Sequence, residues 1–219
     1  MNAPSKSSHV IAAESTAMRL YSYVVARDYG FAPNPFHGIC TLATCKPVIR
    51  RCAQVGDWIV GTGSASHGLS GHLVFVMQVS EKMTYNQYWD DPRFQSKRPN
   101  LHGSLKQAFG DNIYHQVEST NLWHQEPSHH SLVDGSANSA NIKNDTQTDL
   151  ILVGEKFAYW GGNAPLLPVK FRRPVVGQNI CANRGHKCNF PPQFVDSFLE
   201  WVDSREESGY LHKPKQFIL

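Results

Sequence analysis

The chain has 219 residues, of which 41% are apolar and 18% charged, with a formal net charge of +3 at pH 7. That length supports one sizeable core, and so sparse a charge argues against a general electrostatic binder of nucleic acid, which carries a denser Lys/Arg face. No run approaches the roughly 18 apolar residues of a membrane span, and the N-terminus lacks the apolar core of a signal peptide, so a cytoplasmic protein without membrane contact is expected.

Residues 1–17, rich in Ser, Ala and Lys, read as a flexible leader. From Met18, MRLYSYVVARD predicts a first strand, and the following YGFAPNPFHGICTLATC is broken into turns by Gly30, Pro33, Pro35 and Gly38. In VGDWIVGTG the bend falls at Gly56-Asp57, Trp58 to Val60 form a short strand, and Gly61 and Gly63 are expected to end it. LVFVMQVSEKM is the strongest strand signal, nearly continuous in apolar residues from Leu73 to Val79, as befits a central strand covered on both faces. MTYNQYWDD predicts a short helix capped by Thr84.

Residues 88–141 form a long central segment dense in His, Asp, Asn, Ser and Gly, without the periodicity of regular elements. Its aromatics, among them Tyr88, Trp89, Phe94, Phe109, Tyr114 and Trp123, argue that it packs, so an ordered polar loop over a site is expected. Beyond it, Leu150 to Val153 read as a strand and Phe157 to Trp160 as a second short strand or a turn of helix. PPQFVDSFLEWVDSREES places Phe194, Val195, Phe198, Leu199 and Val202 on one face of a helix. Strands joined by irregular loops predict an α+β fold, a curved mixed β-sheet or open barrel with flanking helices, with 18–219 as one domain.

The runs YSYVVARDYGFAPNPFHGICTLATCKPVIRR, VGDWIVGTGS, LVFVMQVSEKMTYNQYWDDPRF, GDNIYH, SHHS and KFAYWGG resemble the bacterial family called nucleotide modification associated domain 2, from Met18 to Phe217. Arg27, Gly56, Asp57, Gly61, Gly63, Asp111, Asn112, Tyr114, His115, His129 and His130 are the matched motif positions. The resemblance implies a PUA-like fold akin to ASCH and EVE domains. It also implies binding of RNA or modified bases, and an association with DNA base modification or phage conflict.

Two clusters carry the candidate chemistry. In Gly110–His115 a tight bend would expose Asp111 and Asn112, while Tyr114 stacks on a base and His115 exchanges a proton near neutral pH; the plainer alternative is an Asx-turn. In Ser128–Ser131 the adjacent histidines point different ways on extended backbone, so one of His129 and His130 faces a ligand and the other packs or pairs, with Asp134 orienting a ring through Nδ1. With Asp111 and His115 these residues make an acid/base set for glycosidic-bond or transfer chemistry, or equally a hydrogen-bonding set for a purine edge.

Around them, Arg27 is placed to lie under the pocket or to clamp a phosphate, and Ser64 to contribute to an anion-binding turn. Trp89 stands at the mouth of the long segment, and Trp160 either sandwiches a base or fills the core. Five cysteines, Cys40, Cys45, Cys52, Cys181 and Cys188, are expected as free thiols. Cys181 and Cys188 with His186 between them lack the CxxC spacing of a zinc site, so no metal and no cofactor are expected. The expected function is recognition of a nucleotide or modified base, with DNA favoured over RNA and modification-system proteins as further partners. An enzyme acting on a nucleotide or its glycosidic bond, and a protein-interaction subunit, are the rival readings.

Overall fold

The computed structural model describes residues 18–117 and 120–217, so the expected leader lies outside the described residues. Among the described residues eleven strands are present: β1 (Leu20–Val25), β2 (Cys40–Leu42), β3 (Trp58–Gly63), β4 (Leu73–Gln78), β5 (Glu81–Thr84), β6 (Tyr114–Val117), β7 (Leu122–Gln125), β8 (Leu150–Gly154), β9 (Phe157–Tyr159), β10 (His186–Lys187) and β11 (Gly209–Tyr210). They are accompanied by the helices α1 (Pro47–Cys52), α2 (Tyr85–Asp90), α3 (Leu105–Ala108), α4 (Ser139–Asp145) and α5 (Pro192–Asp203), giving a mixed α+β architecture.

A six-stranded mixed sheet runs in the order β10-β1-β3-β4-β9-β11, and a smaller antiparallel sheet in the order β2-β8-β5; the two do not close into a barrel. As its apolar run dictates, β4 is central, paired with β3 and β9, and Leu73 to Met77 are buried. The run does not continue as one strand. Val79 N–H donates to Asp57 O, whereas Ser80 N–H donates to Val153 O, so the chain changes sheets between them and β5 pairs with β8.

Gly61 and Gly63 lie within β3 rather than past its end. A Cβ on Gly61 would sit 2.3 Å from the Phe75 ring on β4, so the missing side chain is the space that ring occupies. The helix expected around Phe198 is α5, with Val195, Phe198 and Val202 buried and Phe198 edge-on to Phe171 at 5.4 Å. Thr84 caps α2 through a reciprocal capping box with Gln87.

The segment 88–141 is not an irregular loop. It carries a 3-10 turn at Pro92–Lys97, α3, the β6–β7 hairpin and the start of α4. Its strands are four residues long, too short for periodicity to be read. Tyr88, Phe94 and Tyr114 are buried with Phe31, Met83, Tyr85 and Ile151 in a second apolar cluster beneath the three-stranded sheet. No helix among the described residues is long and apolar enough to cross a membrane.

Candidate functional site

Where β1 ends, the loops Arg27–Ala32, Cys45–Lys46 and His129–His130 and the α4 residue Asn141 enclose a cavity of about 340 Å³. Each loop is held from behind. After β2, Cys45 and Lys46 both take left-handed backbone with φ of 57° and 44°, and Pro47 then starts α1. Two successive non-glycine residues in that region cost about 1–3 kcal/mol each and persist only when their surroundings impose them. Arg50, fully buried on α1, imposes this one: Nε donates to Cys45 O at 2.8 Å, Nη1 to Leu150 O at 2.6 Å, and Nη2 to Asp145 O.

Asp145 closes α4 and is fully buried. Its Oδ1 accepts from Cys45 N–H at 2.8 Å and from Asn144 Nδ2 at 3.1 Å; its Oδ2 accepts from Tyr114 OH at 3.0 Å and from His130 Nδ1 at 2.8 Å. Burial penalises the charge, but the His130 hydrogen bond and the charges of His130 and Arg50 outweigh it and hold the carboxyl below its ordinary range.

A carboxylate only accepts, so Nδ1 of His130 carries a proton in either charge state, while Nε2 accepts in the neutral ring and donates in the imidazolium. That nitrogen faces Cys45 Sγ at 3.7 Å. Burial works against the imidazolium, yet the bonds to Asp145 and then Cys45 prevail and raise His130 to about 9. Cys45 and His130 on the cavity wall and the buried Asp145 behind them thus form a thiol, imidazole and carboxylate relay. The spacing is that of a thiol, a titratable partner within reach and a third group orienting that partner.

The remaining walls are aromatic and cationic. His129 packs against Tyr29 at 4.6 Å, Phe109 at 5.1 Å and Phe31 at 5.3 Å between ring centroids. Burial, then His130 and Arg27, lower it to about 4, so this ring is neutral at pH 7. Arg27 is exposed at the rim, and Lys46, partly buried, has its ammonium 4.7 Å from the centre of the Tyr23 ring. A larger recess of about 450 Å³ between 174–179 and 186–190 has His186, Lys187 and Cys188 on its walls but no acid to orient a base, so the relay marks the smaller one.

Of the residues expected in the site, Arg27, His129 and His130 meet at this cavity, the two histidines with divided roles. Tyr114 supports it from below through Asp145. The others lie elsewhere. Asp111 is fully buried, accepting from Thr41 Oγ1 and Tyr88 OH, each at 2.7 Å, in a network completed by Lys97 and Asn34; it is not within an acid/base set with His115. Asn112 is also buried, donating to the carbonyls of Tyr88 and Phe94. Asp134 is exposed and turns back on Ser136, so the acid orienting His130 is Asp145 instead.

His115 stacks on Trp89 on the outer face of the hairpin, at 4.1 Å. Trp160 is a core residue whose Nε1 donates to Glu207 at 2.7 Å, and Ser64 bonds Ser66 in a surface turn. Cys45, Asp145 and Arg50 escaped the sequence reading. Among five cysteines of equal standing nothing singled out the one beside His130, and nothing local ties Asp145 to a histidine 15 residues earlier.

The profile of one protein family, nucleotide modification associated domain 2, matches residues 17–219. The chain belongs to that family. No curated protein and no solved structure matches it. Membership ties the chain to nucleotide modification by the family's own description, while the cavity and its relay are properties of this chain's geometry.

Proposed function

We propose that the chain is an enzyme of nucleotide modification that takes a nucleotide base into the cavity at the end of β1 and attacks it, or an acyl-type group on it, through Cys45. The observation that carries this reading is the Cys45–His130–Asp145 relay, with 3.7 Å from Sγ to Nε2 and 2.8 Å from Nδ1 to the carboxylate. With Cys45 as thiolate beside the protonated His130, Sγ bonds to an electrophilic sp2 carbon, and the displaced nitrogen or oxygen leaves with the Nε2 proton of His130, which becomes the neutral base for the second step. Water or an amine then displaces sulfur and regenerates the thiol. Tyr29 and His129 offer ring faces to a base, and Arg27 and Lys46 offer charge to a phosphate.

The same aromatic and cationic walls favour a second reading, recognition of a modified base without chemistry. Thermal stabilisation across a panel of free and modified nucleotides, followed by mass analysis of each stabilising nucleotide, separates the two. An enzyme gives a changed nucleotide with wild-type protein and none with Cys45→Ser, which keeps its affinity. Binding with no chemical change supports recognition alone, and no saturable binding of any nucleotide overturns both.

A further inference from the structure

Pairing of β6 with β7 sets His115 directly opposite His124, and the strand alternation brings Glu126, two residues on, to the same face. The ligand atoms of His115, His124 and Glu126 all lie within 4.8 Å of one another, the one such group of three among the described residues. Their rings and carboxylate already converge: His115 and His124 have centroids 4.9 Å apart, and His124 Nε2 is 3.3 Å from Glu126 Oε1.

Two further observations fit a bound cation. Among the described residues Nδ1 of His115 is buried without a hydrogen-bond partner, the condition that coordination would relieve. The His115 ring is also fixed in place by the Trp89 indole stacked on it, with the Arg98 guanidinium 3.6 Å from the indole centre. We propose that His115, His124 and Glu126 form a three-ligand site for a divalent first-row cation of the zinc type.

Two imidazoles and a carboxylate suit such an ion, and three protein ligands leave a coordination position for water or a ligand atom. The site is separate from the cysteine relay and stands whether or not that relay is catalytic. Its hairpin nonetheless supports the relay from below. The inward neighbours Tyr114 and Gln125 pair with each other beside the His115–His124 pair, Tyr114 OH reaching Asp145 and Gln125 Nε2 reaching Tyr114 OH at 3.1 Å. An ion joining the outer histidines therefore locks the register of the hairpin whose Tyr114 bonds Asp145.

Protein stripped with a chelator is titrated with Zn²⁺ by calorimetry and with Co²⁺ by visible absorption. The expected result is one equivalent bound, with a raised melting temperature and no sulfur-to-metal charge-transfer band. His124→Ala, at an exposed position, and Glu126→Gln should each weaken binding about tenfold or more, while Cys45→Ser leaves it unchanged. No binding to wild-type protein, wild-type affinity in both hairpin variants, or a thiolate band abolished by Cys45→Ser would overturn the assignment.

Discussion

The Arg50 guanidinium donates to the carbonyl oxygen of Cys45 from one side while Cys45 N–H donates to the Asp145 carboxylate from the other, so both backbone polar groups of the cysteine are fixed. Arg50 also reaches the carbonyls of Asp145 and Leu150, tying α1, α4 and β8 together around the relay. Truncation strands three carbonyls and removes a buried ion at once. Arg50→Met is expected to cost about 3 kcal/mol or more in urea denaturation. Arg50→Lys should recover only part of it, since one ammonium cannot reproduce a planar fork. Wild-type stability in Arg50→Met would show that the turn at Cys45 holds itself.

Asp111 has a structural task. Burial pushes its carboxyl up and the nearby Lys97 charge opposes that, while Lys97 itself, fully buried, is brought down to about 8 by its own burial. Asp111→Ala leaves Lys97 buried near an emptied site, with an expected loss of about 3–5 kcal/mol. Adding Lys97→Met should restore much of that stability by removing the uncompensated charge. A folded Asp111→Ala protein of undiminished stability would contradict this and return Asp111 to the list of candidate acids.

Stability should peak in pH near 6.5, because the two adjacent histidines titrate in opposite directions. His130 is raised from 6.5 to about 9, so over that interval the native state keeps a proton the unfolded chain has lost, and stability falls as pH rises. His129 is lowered from 6.5 to about 4, so below 6.5 the unfolded chain takes up a proton the native state refuses, and stability falls as pH drops. Lys97, lowered from 10.5 to about 8, adds stability with rising pH above 8, so the His130 limb is best read between 6.5 and 8. Melting temperatures of His130→Gln should lose the decline across that window. An unchanged slope in the variant would assign the decline to other groups.

Gly61 gives a test of the sheet. A methyl carbon added at this position would meet the Phe75 ring at 2.3 Å and Val25 Cγ2 at 2.6 Å, so Gly61→Ala cannot be absorbed by a flexible chain end. A loss of about 1–3 kcal/mol is expected from overpacking, with partial recovery in Gly61→Ala/Phe75→Leu. Wild-type stability in the single variant would show that β3 and β4 pack more loosely than described.

Elements with a strong local signal were legible in the sequence: β4 from its unbroken apolar run, α2 from Thr84, and α5 from its apolar face. What escaped depends on partners distant in the chain. Gly61 reads as a stop until Phe75 is seen lying over it, and Val79–Ser80 reads as one strand until Asp57 and Val153 claim successive N–H groups. The site was half legible. His129 and His130 announced themselves as a pair, but the acid and the thiol that His130 meets lie 15 and 85 positions away in the chain, separations over which no spacing rule operates.

The central claim, that His130 activates Cys45, is tested most directly by the rate at which iodoacetamide alkylates each cysteine at pH 7, read peptide by peptide by mass spectrometry. Cys52 is the more exposed thiol and serves as internal reference, so accessibility alone would make it the faster. The relay predicts that Cys45 reacts about tenfold faster than Cys52 and that His130→Gln removes this advantage while leaving Cys52 unchanged. Alkylation of Cys45 no faster than Cys52, or a rate indifferent to His130→Gln, would contradict it.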